Sequence, residues 1–489
     1  MALLLILLVA TCGLGWVLCL YAGWFWPWLC LPLFLLAAPL LFSLLRGESD
    51  ARRQRRACVV VLGDVGRSPR MQYHALSLAA HGYSVSFVGY AGTKPHTDVL
   101  KNHRITIVPI AELMSIKVGP RILQYIMKVI FQVAQLSYVL LKIDVPSFVL
   151  LQNPPGLPSV AVTWFICLLR GSKLIIDWHN YGYTIMSLTL GKCHPVVQIA
   201  KWYEKLCGRL SDCNLCVTDA MKEDLQSNWN IKATTLYDKP FSVFKETPLE
   251  VQHKLFMKLA NEYSPFKARE PEDPVFERTA FTELDTSSGD VAYTSSHPAL
   301  LLSSTSWTED EDFSILLKAL IEYEKLVVSG QKLPSLVCVI TGKGPLKDYY
   351  GKQIEQLQLK HVQFCTPWLE AEDYPVLLGS ADLGVCLHRS SSGLDLPMKV
   401  VDMFGCCLPV CAIYFNCIHE LVRHEENGLI FRDACELTNQ LKMLFSEFPN
   451  ADSKLQQFRN YLRQTYQVRW HKNWDQTVLP LLNQLLHRS

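Results

Sequence analysis

Five segments of this 489-residue chain carry side chains suited to group-transfer chemistry. Asp177-Trp178-His179-Asn180-Tyr181 sets a carboxylate and an imidazole two residues apart, a pairing suited to moving a proton. Gly63-Asp64-Val65-Gly66-Arg67-Ser68-Pro69-Arg70 joins glycines, which permit close backbone approach, to two arginines. It reads as an anion or polar-substrate loop, with Gly66, Arg67 and Arg70 as contacts. It lacks the G-x-G-x-x-G spacing, so a dinucleotide site is unsupported. Gln152-Asn153-Pro154-Pro155-Gly156 is a proline-stiffened turn whose Asn153 can line a substrate site. Gly342-Lys343-Gly344-Pro345 is not a Walker A loop, yet Gly342, Gly344 and Lys343 can present amides and an ammonium to phosphate. The richest stretch runs from His388 to Asp402. There the hydroxyls and amides around Ser391, Ser392, Gly393 and Asp395 precede a helix beginning near Pro397, and the positive end of a helix favours a diphosphate. Lys399 would sit in its first turn, with Asp402 one turn later as a ligand for ribose hydroxyls.

Such groups need rigid supports. Strands are predicted at Cys58–Gly63, Ser84–Tyr90, Ile105–Ile110, Phe148–Gln152, Lys173–Trp178, Asn214–Thr218 and Thr234–Tyr237. Helices are predicted between them, including Arg70–His81, Leu123–Leu141, Pro195–Leu210 and Ala220–Asn228. Runs of Val, Ile and Leu without alternation suit a sheet buried on both faces. The pattern breaks at residues 245–297, which are polar and proline-bearing and read as a linker or insertion, with Thr286 to Gly289 as a loop tip. It restarts with strands at Leu300–Ser304, Leu336–Thr341, Val362–Cys365, Leu383–Leu387, Pro409–Ala412 and Leu429–Phe431, and ends in helices near Lys454–Tyr466 and Trp474–His487. The expected class is α/β, two doubly wound Rossmann-like domains facing a cleft.

Residues 2–45 contain no Asp, Glu, Lys, Arg or His, more than the roughly 20 apolar residues that span a bilayer. The expected division is a membrane anchor at 1–45, a basic flank at 46–56, domains at 57–244 and 298–465 around the 245–297 segment, and a closing helix at 466–489. The run is too long for a signal peptide and has no basic residue before it. Arg46, Arg52, Arg53, Arg55 and Arg56 follow it and predict a cytosolic body, whether the anchor crosses once or folds back at Gly23, Pro27 and Pro32. The 17 cysteines show no disulfide spacing, and the chain holds no Asn-x-Ser/Thr sequon, both in keeping with a reducing compartment. With 47 Lys and Arg against 45 Asp and Glu, the charge of +2 argues against a nucleic-acid binder.

Other groupings carry less. Asp310-x-Asp312 has a metal-dependent transferase form, but the acidic run Glu309 to Asp312 precedes a helix, whose dipole favours acids, so no metal site is assigned. Cys213-x-x-Cys216 has redox or zinc spacing without a second pair and reads as strand packing. The mildly basic apolar run from Lys117 to Lys142 is either a core helix or a contact with a membrane surface.

Taken in order, Gly342-Lys343-Gly344-Pro345, Gly379 to Val385, Lys399 to Val410 and Glu426-Asn427-Gly428-Leu429 resemble the nucleotide-sugar-binding half of GT-B glycosyltransferases. In that family a Glu often matches Asp402 and contacts the ribose. The usual earlier Glu falls at Leu394, beside Asp395, and Ser306 to Asp310 replaces the usual Arg and Lys pair. The strings Gly63 to His74, Gln152 to Gly156, Ile176 to Tyr181 and Ser391 to Lys399 look like those of the chitobiosyldiphosphodolichol beta-mannosyltransferase family. The resemblance implies an inverting GT-B enzyme that moves mannose from GDP-mannose to GlcNAc2-diphosphate-dolichol, forming a β-1,4 bond. It implies an acceptor-binding N-terminal domain and a donor-binding C-terminal one, a single-pass place in the endoplasmic reticulum membrane with the catalytic domain cytosolic, and other dolichol-pathway mannosyltransferases as partners. No cofactor is required by the fold, and a divalent cation stays open. Asp64, Asp177, His179 and Glu204 are candidates for the base, and the sequence does not choose among them. The rival reading is a catalytically silent, membrane-tethered GT-B scaffold subunit of a glycosyltransferase complex.

Overall fold

The computed structural model describes residues 53, 55–112, 121–269 and 274–487. The expected anchor at 1–45 and most of the basic flank lie outside them. Contacts divide the chain into two compact units. The first runs to Cys216 and takes in Lys222–Thr235 and the chain from Val478; the second comprises Val217–Met221 and Leu236–Thr477.

The first unit opens with β1 (Arg56–Asp64), α1 (Pro69–Ala80), β2 (Ser84–Tyr90), α2 (Thr97–Lys101) and β3 (Ile105–Ile110). It continues through α3 (Arg121–Lys142), β4 (Phe148–Asn153), α4 (Ser159–Arg170), β5 (Lys173–Trp178), α5 (Gly182–Leu190), α6 (Pro195–Cys207), β6 (Cys213–Cys216), α7 (Asp219–Trp229) and β7 (Thr234–Thr235). The sheet is parallel in the order β3-β2-β1-β4-β5-β6-β7. Ala57 to Leu62 of β1 are all buried, as the continuous apolar run requires of a central strand covered on both faces. The order reverses between β1 and β4, so the loops after these strands part and leave the crevice where doubly wound sheets bind ligands. Gly63–Arg70 and Asn153–Gly156 follow those two strands, and Asp177 pairs beside Gln152 on neighbouring β5.

The second unit begins with α8 (Leu249–Glu262), β8 (Phe276–Arg278), β9 (Thr282–Asp285) and β10 (Val291–Tyr293). The stretch 245–297, read from the sequence as a polar linker or insertion, is organised by a helix and a three-stranded antiparallel sheet. Phe256, Phe266 and Phe281 pack together with centroids 4.9–5.6 Å apart and hold this piece. Thr286 to Gly289 form the β9–β10 turn, whose Ser287 and Ser288 amides donate to Asp285 Oδ1. The main sheet follows with β11 (Ala299–Ser304), α9 (Phe313–Val328), β12 (Leu336–Thr341), α10 (Lys347–Gln356), β13 (Val362–Cys365), α11 (Asp373–Ser380) and β14 (Leu383–Cys386). Then come α12 (Met398–Gly405), β15 (Val410–Ile413), β16 (Gly428–Phe431), α13 (Ala434–Phe445), α14 (Lys454–Thr465) and α15 (Trp470–His487), whose residues from Val478 count with the first unit. The order β13-β12-β11-β14-β15-β16 reverses between β11 and β14. Each unit thus carries one doubly wound parallel sheet, the pair from which a GT-B fold is built.

Candidate active site

In the first unit the site is organised around Asp177, a fully buried carboxylate at the end of β5. Arg70 reaches it from the first turn of α1, with Nε donating to Oδ2 at 2.8 Å and Nη2 to Oδ1 at 2.9 Å. His74, one turn along α1, and His179 bring their Nε2 atoms to Oδ2 at 3.1 and 2.8 Å. Burial alone would raise the carboxyl, but the Arg70 guanidinium and His179 hold it well below the usual carboxylate range. Burial pushes His74 the other way, toward its neutral form. Sequence reasoning gave Arg70 to the acceptor; its guanidinium is instead buried and engaged with Asp177. Asp177 is fully buried, while the His179 side chain keeps 22% of its surface exposed. That arrangement suits an orienting carboxylate and an imidazole whose other nitrogen, Nδ1, is left for a proton.

Asp64 is committed to its own loop. Its Oδ1 accepts the Gly66 and Thr93 amides at 3.0 and 3.1 Å, and its Oδ2 accepts the Thr93 hydroxyl at 2.5 Å. Although burial opposes it, these donors pull the carboxyl down. A Cβ on Gly66 would collide with the Thr93 carbonyl, so only glycine fits there. Arg67 is the loop's outward cation, 81% exposed and 3.3 Å from Thr93 Oγ1. Asn153 is buried; its Nδ2 donates to the Asn180 carbonyl and to Glu204 Oε1, each at 3.3 Å. Glu204 also accepts the Gly182 and Tyr183 amides and so caps α5, while its burial pushes the carboxyl up.

The second unit gathers the remaining candidates. The loops after β11 and β12 interlock, since a Cβ on Gly342 or Gly344 would meet the Thr305 or Ser306 carbonyl. Lys343 Nζ stands 3.5 Å over the Trp368 ring, a cation–π contact. Lys399, in the first turn of α12, is paired with the buried Glu311, which also accepts the Ser306 amide at 2.9 Å. In the 390–395 loop, expected to offer open amides, the Gly393 and Leu394 amides close on Ser390 Oγ at 2.8 and 3.2 Å. Asp395 Oδ1 bonds the Ser390 hydroxyl and accepts the Ser392 hydroxyl at 3.4 Å. Asp402 lies half-buried on α12; burial, then the nearby Asp238 charge, raise its carboxyl well above the ordinary value. Ser391 is half-buried in the same loop and has partners of its own.

One residue of this cluster was quoted in the sequence without a role. His388 Nδ1 lies 2.9 Å from Asp310 Oδ2, and Nε2 lies 3.7 Å from Asp395 Oδ2. Burial lowers its pKa, yet the two carboxylates outweigh burial and hold the imidazole near 9, charged at neutral pH. The acidic run 309–312 thus has three separate uses. Asp310 holds His388, Glu311 holds Lys399, and Asp312 alone takes the capping role expected of the run, accepting the Ser314 amide at 3.0 Å. Among the described residues no group of three or more His, Cys, Asp or Glu could hold a metal ion. Cys213 and Cys216 sit three residues apart on β6 and therefore point to opposite faces.

The profile of the family described as glycosyl transferases group 1 matches residues 295–464, within the second unit. Among solved structures, sucrose-phosphate synthase from Thermosynechococcus elongatus superposes with a TM-score of 0.59 at 13% identity, over 89% of this chain and 99% of that one, which establishes the GT-B fold. The Homo sapiens chitobiosyldiphosphodolichol beta-mannosyltransferase is 63% identical over 93% of this chain and 98% of its own. The Mus musculus protein of the same name is 61% identical over 93% and 95%. At that identity and coverage, the chain belongs to the chitobiosyldiphosphodolichol beta-mannosyltransferase family.

Proposed function

We propose that the chain transfers mannose from GDP-mannose to chitobiosyl-diphosphodolichol at the cytosolic face of the endoplasmic reticulum membrane, forming a β-1,4 bond with inversion. The observation that carries this reading is the His179–Asp177 pair at the end of β5, within a chain 63% identical to a named mannosyltransferase. The acceptor hydroxyl attacks the anomeric carbon from the face opposite the diphosphate, and the carbon–oxygen bond to GDP breaks. His179 Nδ1 takes the hydroxyl proton, while Asp177 fixes the ring through Nε2 and stabilises the imidazolium that forms. Asp177 is thus a positioning residue. Arg67 and the Asn153 turn are assigned to the acceptor.

Lys399, Lys343 and the Gly342–Gly344 and Ser391–Gly393 loops are assigned to the donor diphosphate, with Asp402 on the ribose. His388 stands behind them as a fixed cation, in a loop system that lacks the family's usual Arg and Lys pair. Lys399, once released from Glu311, is assigned to the charge on the leaving diphosphate. The test is incubation of the purified chain with GDP-mannose and lipid-linked chitobiose diphosphate, with GDP-glucose as control. A GDP-mannose-dependent product with a β-1,4-mannosyl signal in proton NMR is expected. An α product, or equal use of GDP-glucose, would sink the proposal.

A further inference from the structure

The first unit contains a recess that shares only the turn after β4 with these assignments. Its volume is about 560 Å3, within the roughly 300–1,000 Å3 of small-molecule sites. It lies between α3, the turn after β4 and the start of α5, and its walls are mostly carbon, supplied by Val129, Phe131, Pro155, Leu157 and Met186. Phe131, Leu157 and Ile185 line it and are also exposed, so the recess opens onto apolar surface.

That surface is extensive. α3 is long and apolar enough from Gln124 to Lys142 to cross a membrane, yet it packs along α4 with Leu136 and Leu140 buried, and it exposes Ile126 and Ile130. α5 carries no Asp, Glu, Lys or Arg and buries none of its nine residues. α6 exposes Ile199 and Trp202. An uncharged helix with no buried residue faces neither water nor core favourably, which is the mark of an interaction surface.

Two observations identify the occupant. The uncharged run of residues 2–45 enters the described chain at Arg53, whose Nη2 donates to the Arg170 and Gly171 carbonyls at 2.8 Å. The described chain thus begins at the end of α4, the helix on which α3 packs, with residues 46–52 between it and the uncharged run. Moreover, α5 begins three residues after His179, which ties one wall of the recess to the proposed base. We propose that the recess receives the first isoprene units of the acceptor's polyisoprenoid chain, drawn from a leaflet against which α3, α5 and α6 rest. The inference rests on the acceptor assigned above. Lys128, on the same wall, supplies a cation for the diphosphate that joins the chain to the sugar.

The full chain in phosphatidylcholine vesicles, exposed to a diazirine-bearing polyisoprenyl diphosphate and mapped by peptide mass spectrometry, reports occupancy without requiring transfer. Label is expected in α3 and α5 peptides, strongly reduced in Met186→Trp, which fills the recess, and restored in Met186→Leu. Ile185→Asp, at an exposed position that tolerates charge, should reduce labelling as well and covers a failure of the tryptophan variant to fold. In parallel, the ratio of kcat/KM for a long-tailed over a ten-carbon acceptor should fall about tenfold in Met186→Trp. Label outside the recess, undiminished label in both variants, or equal labelling by a diazirine-bearing diacyl lipid would overturn the inference. Label in the recess of a chain that transfers no mannose would uphold it and remove the reaction proposed above.

Discussion

Replacing Asp177 by asparagine separates the two jobs of its charge, holding the fold and holding His179. The carboxylate is buried and faces Arg70, His74 and His179 at 2.8–3.1 Å. Its pKa is depressed, so the stability it contributes is present above the ordinary value near 4 and is lost only as pH falls through the depressed one. At neutral pH the whole contribution is therefore in play. Asn leaves the Arg70 guanidinium buried without a counter-charge, which costs about 3–5 kcal/mol, a fall in melting temperature on the order of 10 °C. Losing the oriented base should lower kcat about 10²- to 10⁴-fold. Arg70→Met added to Asp177→Asn removes the orphaned cation. The double variant should recover most of the melting temperature while kcat stays low. His179→Ala should be as slow as Asp177→Asn, and combining the two should add little, because they act as a unit. Thermal unfolding and transfer of labelled mannose from GDP-mannose give the two readouts. If the double variant regained kcat together with its melting temperature, Asp177 would serve the fold alone and the dyad would be discarded.

On the donor role proposed for it, Lys399→Ala removes one charge-assisted contact to the leaving diphosphate, about 1.5–3 kcal/mol, so single-turnover rates should drop roughly ten- to a hundredfold; an unchanged rate would release Lys399 from the donor. Asp402→Ala should weaken GDP-mannose binding about tenfold in calorimetry, with a smaller effect on kcat, and unaltered affinity would remove the ribose assignment. His388→Gln should destabilise by about 2–3 kcal/mol at neutral pH. The folded imidazole sits near 9, above its unfolded value, so its contribution is complete in mildly acid solution and fades as pH rises through 9. A melting-temperature difference that stays constant from about pH 6 to pH 10 would contradict this.

The strands were legible because parallel strands buried on both faces must be continuous apolar runs. Lys173–Trp178 and Leu336–Thr341, buried almost throughout, match residue for residue, and so do Ser84–Tyr90 and the partly exposed edge strands Ile105–Ile110 and Val362–Cys365. The antiparallel sheet at 276–293 was not, because strands of three or four half-polar residues leave no period to read. α5 escaped for a different reason: a helix with no buried face has no amphipathic stripe. The loops of the site were visible from glycines, prolines and charges at strand ends, but their internal pairings were not. Arg70 meets Asp177 across 107 residues, Glu311 meets Lys399 across 88, and Asp310 meets His388 across 78. Nothing local in a single sequence encodes such partnerships. That is why Arg70 was read as a substrate contact and the 309–312 run as helix-dipole acid alone.

The Glu311–Lys399 pair carries a consequence for turnover. The Lys399 ammonium has a tethered counter-ion, and a tethered group competes at an effective concentration in the millimolar range or above. On the donor role proposed for Lys399, Glu311 competes with free inorganic phosphate for the ammonium. On the same assignment a nucleotide sugar, anchored through several groups at once, displaces the carboxylate, and Glu311 returns to Lys399 when the nucleotide leaves.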